Sequence, residues 1–171
     1  TIATLEIAVE QVGRIARIVQ DLLNFSRKKT GKPQALDLNE CIRSSVRLSH
    51  HLMTNRQINL ILDLDERLPS ALGDRAEFEQ VLINLLNNAV AAMVDGGELS
   101  LISCTEAGQI SISVQDTGRG INAEDLDVIF DPFFTTKDSG EGTGLGLSIS
   151  YNIIDNMGGR IEVESLPESG T

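Results

Sequence analysis

Two cysteines are all that the 171 residues contain, and Cys41 and Cys104 show neither metal-ligand nor redox spacing, which excludes a zinc-ribbon or disulfide framework. They read as core residues of a reduced, cytosolic chain. No apolar run is long enough for a transmembrane helix and no leader pattern is present. The reading is a domain on the cytoplasmic side, whether or not a longer parent is tied to a membrane. Basic residues are scarce where a fold would form. The formal charge is −11, yet residues 1 to 33 carry six Lys/Arg against three Asp/Glu, while residues 34 to 171 carry eight against twenty-two. Such a body argues against a nucleic-acid surface. A polyphosphate bound to it would need a metal ion and local donors to offset the acidic field.

Glycine is placed unevenly. The stretch from Asp116 to Leu147 holds two glycine clusters around a phenylalanine-rich segment. Gly118 and Gly120 follow the alternating run Gln109 to Gln115, where a strand gives way to a turn. Gly140, Gly142, Gly144 and Gly146 precede Leu147 to Ile154, which reads as a helix. A glycine pair after a strand is most simply a turn. Four glycines at spacing two need another reason, because each costs roughly 0.5 to 1 kcal/mol of backbone entropy where it is ordered. Glycines before a helix start let N–H groups converge on an anion, and the helix dipole favours its charge. A phosphorylated ligand fits. Neither cluster matches a Rossmann fingerprint or the lysine-serine/threonine ending of a P-loop.

Along the chain, Ile2, Leu5, Val9, Val12, Ala16, Val19 and Leu23 form a heptad seam, widened by Ile15, Ile18 and Leu22. A self-associating bundle is favoured over a helix docked on its own domain. Gly31 and Pro33 end it, giving segments 1–30, a linker 31–35 and a domain 36–171. Asp37-Leu-Asn-Glu40 resembles a capping box opening a helix to about Met53. His50 and His51 near its end are explained by the helix dipole, with nothing marking them as ligands or bases. Ile58 to Leu64 reads as a strand. Asp74 to Glu77 caps a second helix whose buried stripe is Phe78, Val81, Leu82, Leu85, Ala89 and Met93. Asn84, Asn87 and Asn88 interrupt it, although asparagine is weaker than alanine there by about 0.5 kcal/mol. Asn84 and Asn88 share a face. Their carboxamide oxygens suit Mg²⁺, and a polar helix face bonded to a neighbouring loop explains them equally.

Two strands, about Leu99 to Cys104 and Ile110 to Gln115, deliver Asp116 into the glycine turn. Its carboxylate caps that turn or accepts from an exocyclic amine such as adenine's. Phe133 to Ser139 reads as a lid anchored by its aromatics, with movement expected over 135–143. Lys137 is the only positive charge between Arg119 and Arg160. A helix to about Asn156 and a strand from Arg160 to Ser165 follow.

Residues 34 to 171 resemble the catalytic ATP-binding domain of bacterial sensor histidine kinases, within the class shared with the gyrase and MutL ATPases. Asn84-Leu-Leu-Asn-Asn88-Ala is similar to the family's N box, Asp116-Thr-Gly-Arg-Gly120 to its first glycine box, Phe130-Asp-Pro-Phe-Phe134 to its F box and Gly142-Thr-Gly-Leu-Gly146-Leu to its second. The wording around Phe130 to Ser148 is nearest the nitrogen-regulation branch. The resemblance implies a two-layer α/β sandwich of the Bergerat type, helices over a mixed sheet, preceded by one long amphipathic helix. It implies ATP and Mg²⁺ as cofactors, with Asn88 the main metal ligand and Asn84 assisting. Asp116 would bind the adenine amine, Gly118 and Gly120 would shape the base pocket, and Thr171 matches a threonine near that aspartate. Lys137, Gly142, Thr143, Gly144, Leu145, Gly146 and Leu147 would surround the phosphates, with Asn84, Asn88 and Lys137 serving transfer. Related ATPases place a glutamate base where this chain has Asn84, so hydrolysis by water is disfavoured.

Residues 1 to 30 resemble the second helix of the family's dimerisation and phosphotransfer hairpin. The implied activity is ATP-dependent protein-histidine kinase. Its implied partners are a hairpin histidine of the same or the partner subunit, a response-regulator receiver domain and a second copy in a homodimer, with no nucleic acid. The phosphoacceptor is not His50 or His51, whose flanking residues differ from the family's. Two other classes stay open: an ATP-gated interaction module that moves no phosphate, and a serine kinase of the anti-sigma type.

Overall fold

Two aspartates open the two long helices. The computed structural model describes residues 33–137 and 142–171, together with Val12. Its elements are β1 (Gln34–Leu36), α1 (Leu38–Asn55), β2 (Ile58–Leu64), β3 (Ala71–Gly73), α2 (Arg75–Ala92), β4 (Gly97–Glu106), β5 (Gln109–Asp116) and α3 (Gly146–Asn156). The Asp37 carboxylate accepts from Glu40 N–H at 3.0 Å before α1. That of Asp74 accepts from Ala76 and Glu77 N–H at 2.8 and 3.2 Å before α2. Both satisfy donors that a helix start leaves without partners. Apart from Val12, the heptad helix and segment 1–30 lie outside the described residues, as do 138–141 of the expected lid.

The architecture is the expected α/β sandwich, helices over a mixed sheet. β2 runs parallel to β4, from Ile58 opposite Gly97 to Leu64 opposite Ser103, and β4 runs antiparallel to β5, with Leu99 opposite Asp116. A parallel pair needs a long crossover, which β3 and α2 supply. β4 and β5 are joined at Ala107 and Gly108, both left-handed with φ of 49° and 80°, as a tight two-residue hairpin requires. β1 and β3 pair antiparallel as a separate ribbon. Neither is apparent in the sequence, because three residues are too few for period-two alternation. β1 also begins at Gln34, inside the stretch expected to be linker.

The core lies where α1 and α2 cover β4. Cys41, Ile42, Val46 and Met53 of α1 meet Phe78, Leu82, Leu86 and Ala89 of α2, together with Leu99 and Leu101. Each large apolar side chain so buried contributes about 1.5 to 3 kcal/mol. Two expectations are corrected. Leu86, fully buried, belongs to the α2 stripe and Leu85 only borders it, since the helix turns 100° per residue and presents Leu82, Leu86 and Ala89 inward. Cys104 is exposed, because Leu99, Leu101 and Ser103 take the inner face of β4 and the pleat sends Cys104 outward. A buried polar link ties the start of α1 to the sheet. Asn39 accepts from Ser103 Oγ at 2.8 Å and donates to the Asp65 carbonyl at 2.8 Å.

The strand expected at Arg160 to Ser165 is also corrected. The alternation survives in burial, with Ile161, Val163 and Ser165 half-buried between exposed neighbours, but no ladder forms. A turn closed by the Leu166–Gly170 bridge reverses the chain, so Thr171, rather than 160–165, pairs with Asp116 of β5.

Candidate functional site

The last residue of β5 sets one end of the site. Asp116 Oδ1 accepts from Gly118 N–H at 2.8 Å, holding the turn as an Asx cap. Burial, the strongest influence, pushes its carboxyl above the ordinary range, against the opposing pull of the Gly118 and Thr171 N–H groups. Gly118 is packed against Ala92, where a Cβ would lie 2.7 Å from the alanine methyl. Gly120 is left-handed, φ 67°, and faces the Leu166 carbonyl so closely that a side chain has no room. Ser165 completes this floor. Its hydroxyl receives Ile121 N–H at 2.8 Å and lies 2.9 Å from Thr171 Oγ1.

α2 supplies the asparagines. Asn84 Nδ2 donates to the Gly146 carbonyl at 3.0 Å and to Ser150 Oγ at 3.2 Å, while its oxygen accepts from Gln80 Nε2 at 3.0 Å. It therefore ties α2 to the first turn of α3. Asn87 is exposed. Asn88, half-buried, turns Oδ1 to Lys137, whose Nζ donates at 3.2 Å. Lys137 is placed by its own backbone, which donates N–H to Thr135 Oγ1 at 3.2 Å. The segment leading to it is clipped where Phe133 N–H meets the Gly144 carbonyl at 2.9 Å. Phe133 itself is left-handed, φ 70°.

Gly142 and Gly144 precede α3, and Leu145 stands at its N-cap in a helical conformation with no side-chain cap. Leu145 N–H leans on Thr143 Oγ1 at 3.4 Å, and among the described residues no side chain caps the N–H groups that follow, an arrangement that suits an anion. Leu145 is buried, and Gly144, Gly146, Leu147 and Thr143 line the same open cleft as Asn84, Asn88, Asp116, Lys137 and Thr171. That cleft measures about 2720 Å³, more than the roughly 300–1,000 Å³ of a small-molecule pocket, because it continues along the β5 edge to residues 158–165.

Among the described residues no cluster of three or more His, Cys, Asp or Glu side chains forms a metal site. A divalent cation here would rest on the Asn88 carboxamide together with ligand phosphates and water, the oxygen set that Mg²⁺ favours. The residues fit: Asn88 Oδ1 already faces a positive group.

His50 and His51 lie on the exposed side of α1. The His50 ring is 3.4 Å from Thr54 Oγ1 and that of His51 is 3.0 Å from Asn55 Nδ2. Sequence reasoning missed Ser165, Gln80, Ser150 and Gly170. The Ser-Leu-Pro-Glu-Ser-Gly run around Ser165 signals a turn, but nothing in it says what the turn covers.

Residues 73–171 match the family described as histidine kinase-, DNA gyrase B- and HSP90-like ATPase. The chain belongs to that family, and within it to the histidine-kinase catalytic domains. It is 37% identical over 166 residues to the sensor histidine kinase ZraS of Escherichia coli (strain K12), covering 97% of this chain and 35% of ZraS. The catalytic domain of histidine kinase ThkA superposes with a TM-score of 0.67 at 35% identity, covering 74% of this chain and 82% of that one. ThkA in complex with the response regulator TrrA gives 0.77 at 30% identity, over 98% and 48%. Full-length ShkA in complex with AMPPNP gives 0.83 at 25% identity, over 98% and 36%. The chain thus spans about a third of the length of ZraS. Among the described residues no helix is long and apolar enough to cross a membrane.

Proposed function

We propose that the domain binds ATP with Mg²⁺ and delivers the γ-phosphoryl group to a histidine. That histidine belongs to a phosphotransfer hairpin of the same or the partner subunit in a homodimer, and the group passes on to an aspartate of a receiver domain. The observation that carries this reading is the meeting of Asn88, Lys137 and Asp116, from three distant segments, around one cleft. When bound, Mg²⁺ supplies the charge compensation that a body with twenty-two acidic and eight basic residues lacks.

Asn88 Oδ1 holds the cation, and Asp116 accepts the purine amine over the floor made by Gly118, Gly120 and Thr171. Gly142 to Leu147 and the uncapped start of α3 receive phosphate oxygens. Asn84 acts by position. Its carboxamide is committed to Gly146, Ser150 and Gln80 and is no base for water, which favours a protein acceptor over hydrolysis. ShkA's complex with AMPPNP and ThkA's with TrrA support the same ligand and partner classes. Residues 1–30 would then contribute to the hairpin.

Calorimetry with AMPPNP, with and without Mg²⁺, tests the donor half. Asn88→Ala should weaken the Mg²⁺-dependent part by tenfold or more, since loss even of a ligand's supporting partner costs about 10–100-fold. Equal affinity in variant and parent removes Asn88 from the site. Phosphorylation of an added hairpin that carries its histidine tests the acceptor half, and persistent absence of label refutes it.

A further inference from the structure

The contact between Lys137 and Asn88 joins residues 49 apart in sequence and places a positive charge on the oxygen assigned to the metal. Lys137 is the only basic residue between Arg119 and Arg160. It is half-buried in the cleft, and its backbone is fixed to Thr135. An ammonium 3.2 Å from Asn88 Oδ1 and an Mg²⁺ at about 2.0–2.1 Å from the same atom would lie close together, as two like charges in a partly desolvated cleft. Each charge disfavours the other there.

We infer that Lys137 occupies the cation position on Asn88 until the divalent ion arrives, so that Mg²⁺ binds by displacing it. This rests on the reading of the site as one for Mg²⁺ and a nucleotide. Lys137 then sets how much Mg²⁺ the site needs, besides any contact with phosphate. It is a specificity residue for the metal step. A role confined to holding phosphate gives a different signature: nucleotide affinity falls on its removal while the Mg²⁺ requirement stays fixed.

The test measures the Mg²⁺ concentration that gives half of the Mg²⁺-dependent gain in ADP affinity, in the parent, Lys137→Met, Lys137→Arg and Asn88→Ala/Lys137→Met. Lys137→Met should lower that midpoint by about fivefold or more, the lower end of typical coupling between two sites. Lys137→Arg should keep it near the parent's, and the double variant should lose the gain. Nitrogen NMR of the Asn88 side-chain amide should show a shift on adding Mg²⁺ with ADP in the parent, and the same signal should start displaced in Lys137→Met. An unchanged or higher midpoint in Lys137→Met, with ADP still binding, overturns the inference and leaves the nucleotide reading standing. Failure of the parent to bind ADP, or to respond to Mg²⁺ at all, overturns both.

Discussion

Asp116 and Thr171 exchange their backbone hydrogen bonds, Asp116 N–H to the Thr171 carbonyl at 2.9 Å and Thr171 N–H to the Asp116 carbonyl at 3.2 Å. This pair adds a residue to the free side of β5 and brings the 165–171 turn under Gly120, where Glu168 N–H also meets the Arg119 carbonyl at 2.8 Å. The carboxylate is half-buried there, with the N–H groups of Gly118 and Thr171 beside it.

The first prediction concerns that carboxylate. Burial raises its pKa, so the folded protein binds this proton more readily than the unfolded chain. Between the two pKa values the native state holds more protons, and stability rises as pH falls through the raised value. At neutral pH the charge is a cost. Asp116→Asn, which keeps an oxygen for Gly118 N–H, should therefore melt higher than the parent at pH 7, with the gap closing in acid. It should also lose the preference for ATP over GTP, because guanine offers a carbonyl where adenine offers an amine and an unmet acceptor costs about 1–3 kcal/mol. Melting curves at several pH values and nucleotide competition check both. A lower melting temperature at pH 7 with selectivity retained rejects the assignment.

The second prediction concerns Asn84. Its removal breaks two bonds to the start of α3 and leaves Gln80 without its acceptor. Asn84→Ala should destabilise the fold by about 1–3 kcal/mol and speed amide exchange across residues 146–150 more than in β4. Denaturant titration and hydrogen exchange read these separately. Uniform exchange changes would deny it a local role.

Much of this was legible beforehand, and the exceptions share a cause. The helices at Leu38, Arg75 and Gly146 announce themselves through Asp37, Asp74 and the glycines, all of which act within a few residues. β2, β4 and β5 show alternation and a tight turn. The motif residues Asp116, Gly120 and Asn88 could be marked in the sequence, and the structure brings them to one cleft, while Gly118 packs behind it against Ala92. What stayed hidden depends on contacts between distant segments. Ile161 to Ser165 alternate as a strand should, yet a ladder needs a neighbour, and the turn at Leu166 to Gly170 gives the place beside Asp116 to Thr171. The same holds for Lys137 on Asn88 and Asn84 on Gly146, whose separations of 49 and 62 residues leave no periodic trace. Cys104 misled because cysteine is usually buried, whereas the β4 pleat sends this one to the other face.

The third prediction separates conformation from contact at glycine. Gly108 and Gly120 are both left-handed, but a Cβ at Gly108 meets nothing within 4 Å, whereas one at Gly120 runs into the Leu166 carbonyl. Gly108→Ala should cost about 1–2 kcal/mol and leave AMPPNP binding unchanged. Gly120→Ala should cost more than that and weaken binding, because the 165–171 turn must move. Unfolding and calorimetry on the two variants decide it. Equal effects would mean that the turn is no part of the floor.

The last prediction is that neither His50 nor His51 takes up phosphate. Of α1, only Leu38 lines the cleft, and both histidines lie more than three turns further along that helix, on its exposed side. Phosphoryl transfer needs the acceptor nitrogen in line with the leaving oxygen, a position that α1 does not offer while it packs against α2 and β2. His50→Ala and His51→Ala should bind AMPPNP as the parent does, since the rings contact only Thr54 and Asn55 in the bonds they make. Incubation with ATP labelled in the γ-phosphate, followed by acid and alkali treatment, distinguishes phosphohistidine from phosphoserine. Stoichiometric acid-labile label that disappears in either variant would show that this domain presents its own acceptor, and would move the transfer site from a separate hairpin to the outer side of α1.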